Sequence, residues 1–522
     1  MTHPRRSEPA NAKLTHVRDM HASSRASALL QSRCLSRLLA LALGALLPLA
    51  FAPFGLWPLA ILSVAGLFRL WRNADPREAF ILGYLFGLGQ FGVGVSWIYV
   101  SMHLFGEAIA PVAGLITLAF VALAAAFPAV AGWLAARLSA PNTRTRLFLA
   151  LPLAWLLLEL VRGIFLGGFP WLNLGASQLG SPLAGYGPVL GEYGMTLAVV
   201  LSAAALAALT RPWLALPILA LVWAGGWLLK PIAWTEPAGP PIGVAIVQGN
   251  VQQARKFDPE QYEATLETYR SLTEQHRDAR LILWPETAVP DLVSQAAPFL
   301  IEMQDKARDH GFQIVAGVFD EDRFGHYYNA LMTLPVEGGR YHKRHLVAFG
   351  EYLPLRVLIE PFKAFIQVPM SDLSSGADEQ APMRLAGYPA GASICYEAAL
   401  SRKIRTALPE AAFLINASND AWFGNSLAPH QHLQIAAMRA LETGRWMARA
   451  TNTGISALID PQGRVTARTP QFEQAVLRGA ITPMQGGTPF VRWGEGPLWL
   501  LALLGLAALG FRRYMTAERI GR

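Results

Sequence analysis

Leu281-Ile-Leu-Trp-Pro-Glu-Thr287 decides how this chain is read. Apolar residues run continuously, as in a buried strand, the proline ends the run, and a carboxylate stands just past the end. The flanking sequence keeps the same rhythm. Residues 259–280 are polar with helical spacing, 296–310 read as a helix, and 313–319 as a strand. Upstream, Ile242-Gly-Val-Ala-Ile-Val247 is a strand-like run that stops at Gly249-Asn250. Downstream, 328–334 and 340–345 suggest a hairpin around Gly338-Gly339. Residues 391–394, 413–416 and 455–459 read as further strands, with a helix over 430–444. Such alternation predicts an α/β domain with a two-layered sheet core.

The rest of the chain is a different material. The 522 residues are 53% hydrophobic and only 15% charged, against about 45–50% apolar and about 25% charged in soluble domains. A disordered or purely soluble chain is excluded. Residues 241–490 hold 23 Lys and Arg against 26 Asp and Glu, so the chain's net +8 leaves +11 for the remainder. Basic residues flanking membrane helices give that distribution. A nucleic-acid footprint would place them on the polar domain, so no nucleic-acid partner is expected.

A membrane helix needs about 20 mainly apolar residues. Seven candidates precede the domain, at 38–52, 57–70, 80–102, 108–136, 147–161, 193–210 and 213–229, and an eighth covers 497–511. The first two are short and share the turn Ala52-Pro-Phe-Gly55. Gly83, Gly87 and Gly94 are small residues suited to close helix packing. One set of loops, with the N-terminal tail, holds eighteen Lys and Arg. The alternate set, leaving out the large domain and its exit to the last span, holds Arg162 and Lys230. The positive-inside rule puts the first set in the cytoplasm. The expected organisation is a flexible cytoplasmic tail over 1–33 and a membrane region of about seven helices over 34–230. An extracytoplasmic domain then covers 231–495, and a last span with a short tail covers 496–522. The glycine-rich aromatic segment 163–194 falls on the domain side and reads equally as a lid or a structural element.

Glu286, Lys343 and Cys395 lie in or just after strand-like runs, where sites of α/β domains collect. Together a carboxylate, an ammonium and a thiol would supply base, electrostatic stabiliser and nucleophile. Taken singly, each has a plainer explanation: a lone Cys is often a small buried hydrophobe, and Lys or Glu a solvated surface residue. The other thiol, Cys34, stands at a basic helix start, so no disulfide framework is expected, nor is there zinc-ligand spacing. His430 and His432 lack a third ligand at sensible spacing and suit hydrogen bonding. Arg439, Glu442 and Arg445 suggest a salt-bridged helix face. Glu159, near one span end, is the clearest intramembrane ionisable residue. No internal repeat supports a transporter.

Five ordered strings resemble the carbon–nitrogen hydrolase (nitrilase) superfamily and, more closely, its membrane-embedded branch of bacterial apolipoprotein N-acyltransferases. They are Val247-Gln-Gly-Asn250, Trp284-Pro-Glu-Thr287, Lys343…His345-Leu-Val…Phe349-Gly-Glu-Tyr352, Ile394-Cys-Tyr-Glu397 and Asn419-Asp-Ala-Trp-Phe-Gly424. Ala50-Phe-Ala-Pro-Phe-Gly55 and Phe169-Pro-Trp171 also look like that family. The resemblance implies an αββα sandwich outside the membrane with a catalytic triad at Glu286, Lys343 and Cys395. It implies supporting roles for Glu351, Tyr396 and Glu397 and an aromatic lining that includes Trp422. Phe257 stands where relatives often carry Trp, and Ala348 where they often carry Pro. The implied reaction is transfer of an acyl chain from a phospholipid, through a Cys395 thioester, to the amine of a diacylglyceryl-cysteine apolipoprotein. It needs no cofactor or metal, and a monomer in the bacterial inner membrane, with its catalytic domain in the periplasm, is expected. A membrane-tethered amidase acting on a small substrate would share the triad. The apolar stretch 353–370 reads as a membrane-dipping arm or a core helix.

Overall fold

Alternate residues of the strand Ile242–Gln248 pack on opposite sides of a sheet: Val244 and Ile246 into one core, Ala245 and Val247 into another. Both faces must therefore be covered, which explains why the run is apolar throughout. The computed structural model describes residues 33–209, 212–347, 350–352 and 373–520. The tail up to residue 32, Ala348 and the stretch 353–370 lie outside them.

The polar domain is built from β1 (Thr235–Pro237), β2 (Ile242–Gln248), β3 (Leu281–Leu283), β4 (Gln313–Glu321), β5 (Tyr327–Leu334), β6 (Arg340–His342), β7 (Met383–Leu385), β8 (Tyr388–Ile394), β9 (Phe413–Ser418), β10 (Met447–Thr451), β11 (Ala457–Ile459), β12 (Val465–Arg468), β13 (Ala475–Ile481) and β14 (Met484–Gly486). One six-stranded sheet has the order β13-β2-β3-β4-β5-β6, and the other β12-β11-β10-β9-β8-β7. Strands β2, β3 and β4 are parallel, as are β8, β9 and β10. Val244, Ile246, Leu283 and Leu331 of the first sheet meet Ile394, Phe413, Ile415 and Ala448 of the second in one core. Helices Pro259–Glu274 and Ala297–His310 cover the outer face of the first sheet, and Ala428–Thr443 that of the second. The layers are αββα. Gln248 joins the sheets: its Oε1 accepts from Ser456 and Thr469 hydroxyls at 2.8 Å, and its amide donates to the carbonyls of Pro470 and Glu473.

Among the described residues, helices Arg33–Ala50, Ala110–Leu138, Pro182–Ala207, Pro212–Leu229 and Gly496–Thr516 are long and apolar enough to cross a membrane. Helices Pro76–Gly94 and Trp97–Phe105, bent by 49° at their junction, make a sixth if they form one span. The stretches expected at 57–70 and 147–161 fall on shorter helices, Pro58–Trp71 and Leu151–Arg162. Asp75 caps Pro76–Gly94, its carboxylate accepting from the amides of Arg77 and Glu78. Gly83 and Gly87 let that helix lie against Ala110–Leu138. A Cβ at Gly83 would stand 2.5 Å from the Pro128 carbonyl oxygen. Arg146 is buried and donates to the carbonyls of Trp71, Ala74, Ala136 and Ser139, gathering helix C-terminal ends where a cation is favoured.

The segment between Arg162 and Gly187 is interlocked on both sides. The Arg162 guanidinium holds the carbonyls of Phe169 and Trp171 and the Asn173 side chain. Trp171, fully buried, donates its indole N–H to Gln431 of the domain at 2.6 Å. It is a structural connector between the membrane helices and the sandwich.

Candidate active site

Because β3, β6, β8 and β9 all end at the same edge of the sandwich, the residues that follow them converge. β3 leads through Trp284-Pro285 to Glu286, β6 directly to Lys343, β8 to Cys395, and β9 to Asn419 and Asp420. Glu286 Oε1 accepts from Lys343 Nζ at 3.1 Å and Asn329 Nδ2 at 2.7 Å, and its Oε2 accepts from the Asn419 amide at 2.8 Å. Lys343, 1% exposed, also donates to Glu351 Oε1 at 2.7 Å. Glu351 Oε2 accepts from the Val347 amide, which fixes the loop that carries it. Burial works to raise the Glu286 carboxyl, but the Lys343 and Lys256 ammoniums outweigh it and hold the group below the usual carboxylate range. Burial likewise works against the charge on Lys343, and Glu286 and Glu351 hold that ammonium well above its ordinary value.

Cys395 has φ +52°, left-handed backbone that a non-glycine residue rarely adopts. The chain turns sharply at the end of β8 and presents the thiol. Glu397 makes this turn possible. Its Oε2 accepts from the Ile394 amide and the Tyr341 hydroxyl, at 2.8 and 2.7 Å. Its Oε1 accepts from the amides of Arg344 and His345, at 2.7 and 3.1 Å. One carboxylate thus ties the Cys395 turn to the chain just past Lys343. Behind the turn, His432 Nε2 lies 3.2 Å from the Cys395 carbonyl oxygen and His432 Nδ1 lies 2.9 Å from Asp420 Oδ1. Arg449 donates to Asp420 Oδ2 at 2.8 Å and to the Asn416 side chain. Burial pushes the Cys395 thiol up to about 12, with Glu286 adding to the rise and Lys343 opposing it. A thiol so raised is held in its protonated form.

The other expected site residues divide. Glu351 and Glu397 are inside the network just described. Tyr396 points to the membrane part: its hydroxyl donates to the Gly168 carbonyl at 2.9 Å and its ring stacks on Trp171. Trp422 stands edge-on to Phe105 of the bent helix, whose Ser101 hydroxyl donates to the Trp422 carbonyl. Phe257 is 46% exposed at the rim, stacked on Phe319. Cys34 is exposed and remote in sequence and element from this edge.

Arg439, Glu442 and Arg445 do not form one surface face. Arg439 and Glu442 are buried and paired at 3.0 Å, and Arg439 also reaches Glu192 of the membrane part at 2.6 Å. Arg445 follows Gly444, where the helix ends at φ +62°, and instead donates to the carbonyls of Pro409, Ala411 and Gly486. His432 does serve hydrogen bonding, as its spacing suggested. Sequence reasoning gave no role to Lys256, Asn329 and Arg449, nor to Asn419 and Asp420, although these two open one of the five strings. A polar residue at the head of the largely apolar run Asn329-Ala-Leu-Met-Thr-Leu334 was the signal available for the side-chain amide that donates to Glu286.

Residues 43–205 match the family described as "Apolipoprotein N-acyltransferase N-terminal domain", and residues 243–487 match "Carbon-nitrogen hydrolase". The apolipoprotein N-acyltransferase of Methylococcus capsulatus is 48% identical over 471 residues, 88% of this chain and 93% of that one. That of Azotobacter vinelandii is 47% identical over 498 residues, 92% of this chain and 96% of its own length. Among solved structures, the Caenorhabditis elegans NitFhit protein aligns with a TM-score of 0.37 and 16% identity, over 55% of this chain and 66% of that one. Identity near one half, sustained through the membrane helices and the sandwich alike, decides the matter: this chain belongs to the apolipoprotein N-acyltransferase family.

Proposed function

We propose that the protein transfers an acyl chain from a membrane phospholipid to the N-terminal amine of S-diacylglyceryl-cysteine on apolipoproteins, with Glu286, Lys343 and Cys395 as its catalytic residues. Glu286 takes the Cys395 proton as sulfur attacks the glycerol ester. Lys343 stabilises the negative carbonyl oxygen of the tetrahedral intermediate. The C–O bond breaks, Glu286 returns the proton to the departing glycerol oxygen, and a lysophospholipid leaves a thioester on Cys395. The lipoprotein amine then attacks the thioester, Glu286 takes the amine proton, and sulfur leaves to recover it as the thiol. Two successive half-reactions make the scheme ping-pong.

The observation that carries this reading is where the thiol sits. Its neighbour Tyr396 is hydrogen-bonded to Gly168 and stacked on Trp171, so the nucleophile turn is fastened to the membrane part. A lipid ester needs to reach such a place, and a small polar amide does not. Incubating the purified full-length protein with phospholipid and digesting it should reveal a Cys395 peptide heavier by one acyl chain. Failure to acylate, together with turnover of small amides, would replace this reading by that of a tethered amidase. The same reading places about eight spans in the inner membrane and the sandwich in the periplasm, supported by the loop charges.

A further inference from the structure

Two adjacent residues of the turn before helix Pro259–Glu274 have opposite fates: Phe257 is 46% exposed, whereas Lys256 is 3% exposed. A long cation is seldom buried unless it is paired. Lys256 Nζ donates to the main-chain carbonyl of Glu286 at 3.1 Å. Among the described residues no other hydrogen bond uses its remaining two N–H groups. Its titratable neighbours are Glu286, at the end of β3, and Cys395, at the end of β8. Lys343 and Glu351 stand behind Glu286.

Charge counting gives this lysine a task. Lys343 spends two of its three N–H groups on two carboxylates, so that trio carries a surplus negative charge. Attack by Cys395 moves that charge: Glu286 takes the thiol proton and becomes neutral, and the negative charge passes to sulfur and then to the substrate oxygen. Among the described residues, Lys256 is the cation other than Lys343 whose charge acts on Glu286.

We propose that Lys256 is a further catalytic residue whose free N–H groups face the negative charge passing from Cys395 Sγ to the ester carbonyl oxygen. The proposal rests on Cys395 being the nucleophile. As the S–H bond breaks, its proton goes to Glu286. As the S–C bond forms, the carbonyl π pair moves to oxygen, beside the Lys256 ammonium. Collapse breaks the C–O bond to glycerol, and the leaving oxygen takes the proton from Glu286. Lys256 donates hydrogen bonds throughout and keeps its proton.

Burial lowers the Lys256 ammonium to about 8, against the pull of Glu286 and Cys395. It is charged below that pH and neutral above it, so acylation should fall as pH rises past about 8. The test is single-turnover acylation of Cys395 in the full-length protein by mixed phosphatidylethanolamine and phosphatidylglycerol vesicles, without acceptor, across a pH series bracketing that value. Lys256→Met should acylate about 10²–10³-fold more slowly, the usual loss for one oxyanion donor, and should lack the basic limb. Lys256→Arg should restore part of the rate and move the limb upward, because a guanidinium stays charged. A wild-type rate that is flat through the series overturns the proposal without recourse to any variant. So does a Lys256→Met protein that keeps the wild-type rate and limb, or a Lys256→Arg protein whose limb does not move. Absence of acyl-enzyme in the wild type at every pH would overturn the nucleophile assignment itself, and this proposal with it.

Discussion

Burial pushes the Cys395 thiol up to about 12, and the Lys343 and Lys256 ammoniums hold the Glu286 carboxylate below its ordinary range, so the proposed first half-reaction pairs a protonated thiol with a charged proton acceptor. Cys395→Ala should abolish acyl-enzyme formation, and Cys34→Ala should leave it intact; acylation in Cys395→Ala would refute the nucleophile. Glu286→Gln should cost about 10²–10⁴-fold, as loss of a general base does, and Lys343→Met about 10²–10³-fold. Both should be measured before acceptor is added, with intact resistance to proteolysis as the folding control. A normal first half-reaction in either variant would move that residue's role to amine attack. Asp420 makes a different kind of prediction. Arg449, buried without exposure, pairs with it, so Asp420→Asn should destabilise the domain by about 3–5 kcal/mol, as breaking a buried pair does. An unchanged melting temperature would show that Asn416 alone satisfies the guanidinium. Glu286 and Cys395 stood out in the sequence because each follows the end of an apolar run, whereas Lys343, inside Tyr341-His-Lys-Arg-His345, was singled out as one of the proposed three through the resemblance. Lys256 was not, because nothing in Gln253-Ala-Arg-Lys-Phe257 says which side chain the turn directs inward.

Elements were legible where period and length agreed. The runs read at 242–247, 281–284 and 313–319 became β2, β3 and β4. β10 was missed because Met447-Ala-Arg-Ala-Thr451 looks polar at its centre, yet all five residues are buried and Arg449 is paired within the core. β12 escaped because it is four residues long and largely exposed, and β13 because Arg478-Gly479 breaks its apolar run. The bend between Pro76–Gly94 and Trp97–Phe105 was likewise invisible in a continuous apolar stretch, although it sets Ser101 and Phe105 against the loop bearing Trp422. Packing of the first of these helices can be tested with two glycines. A Cβ at Gly83 would meet the Pro128 carbonyl oxygen at 2.5 Å, whereas at Gly92 nothing lies within 4 Å. Gly83→Val should cost about 1–3 kcal/mol by overpacking, while Gly92→Ala should be neutral or stabilise by up to about 1 kcal/mol. Thermal unfolding in one detergent decides it, and equal melting temperatures would mean the helix pair readily separates.

Across the whole molecule, residues far apart in sequence gather by charge. Arg513 donates to the Arg137 carbonyl, Arg146 binds carbonyls at the ends of Pro58–Trp71 and Ala110–Leu138, and Arg72 donates to Asn142. These basic loops therefore meet at one end of the helix bundle. The contacts to the sandwich lie elsewhere, through Ser101, Gly168, Trp171 and Glu192. Eighteen basic residues in one set of loops and tail against two in the other then predict that the basic end faces the cytoplasm and the sandwich the opposite side. Alkaline phosphatase acquires its disulfides, and so its activity, only in an oxidising compartment. Fused after Trp234, at the start of the sandwich, it should be active. Fused after Arg146, whose guanidinium closes the basic end, it should be inactive although expressed to the same level. The reverse pattern would invert the topology. It would also put the thioester on the cytoplasmic side, out of reach of an acceptor anchored on the other leaflet, so the proposed acceptor would fall together with the orientation.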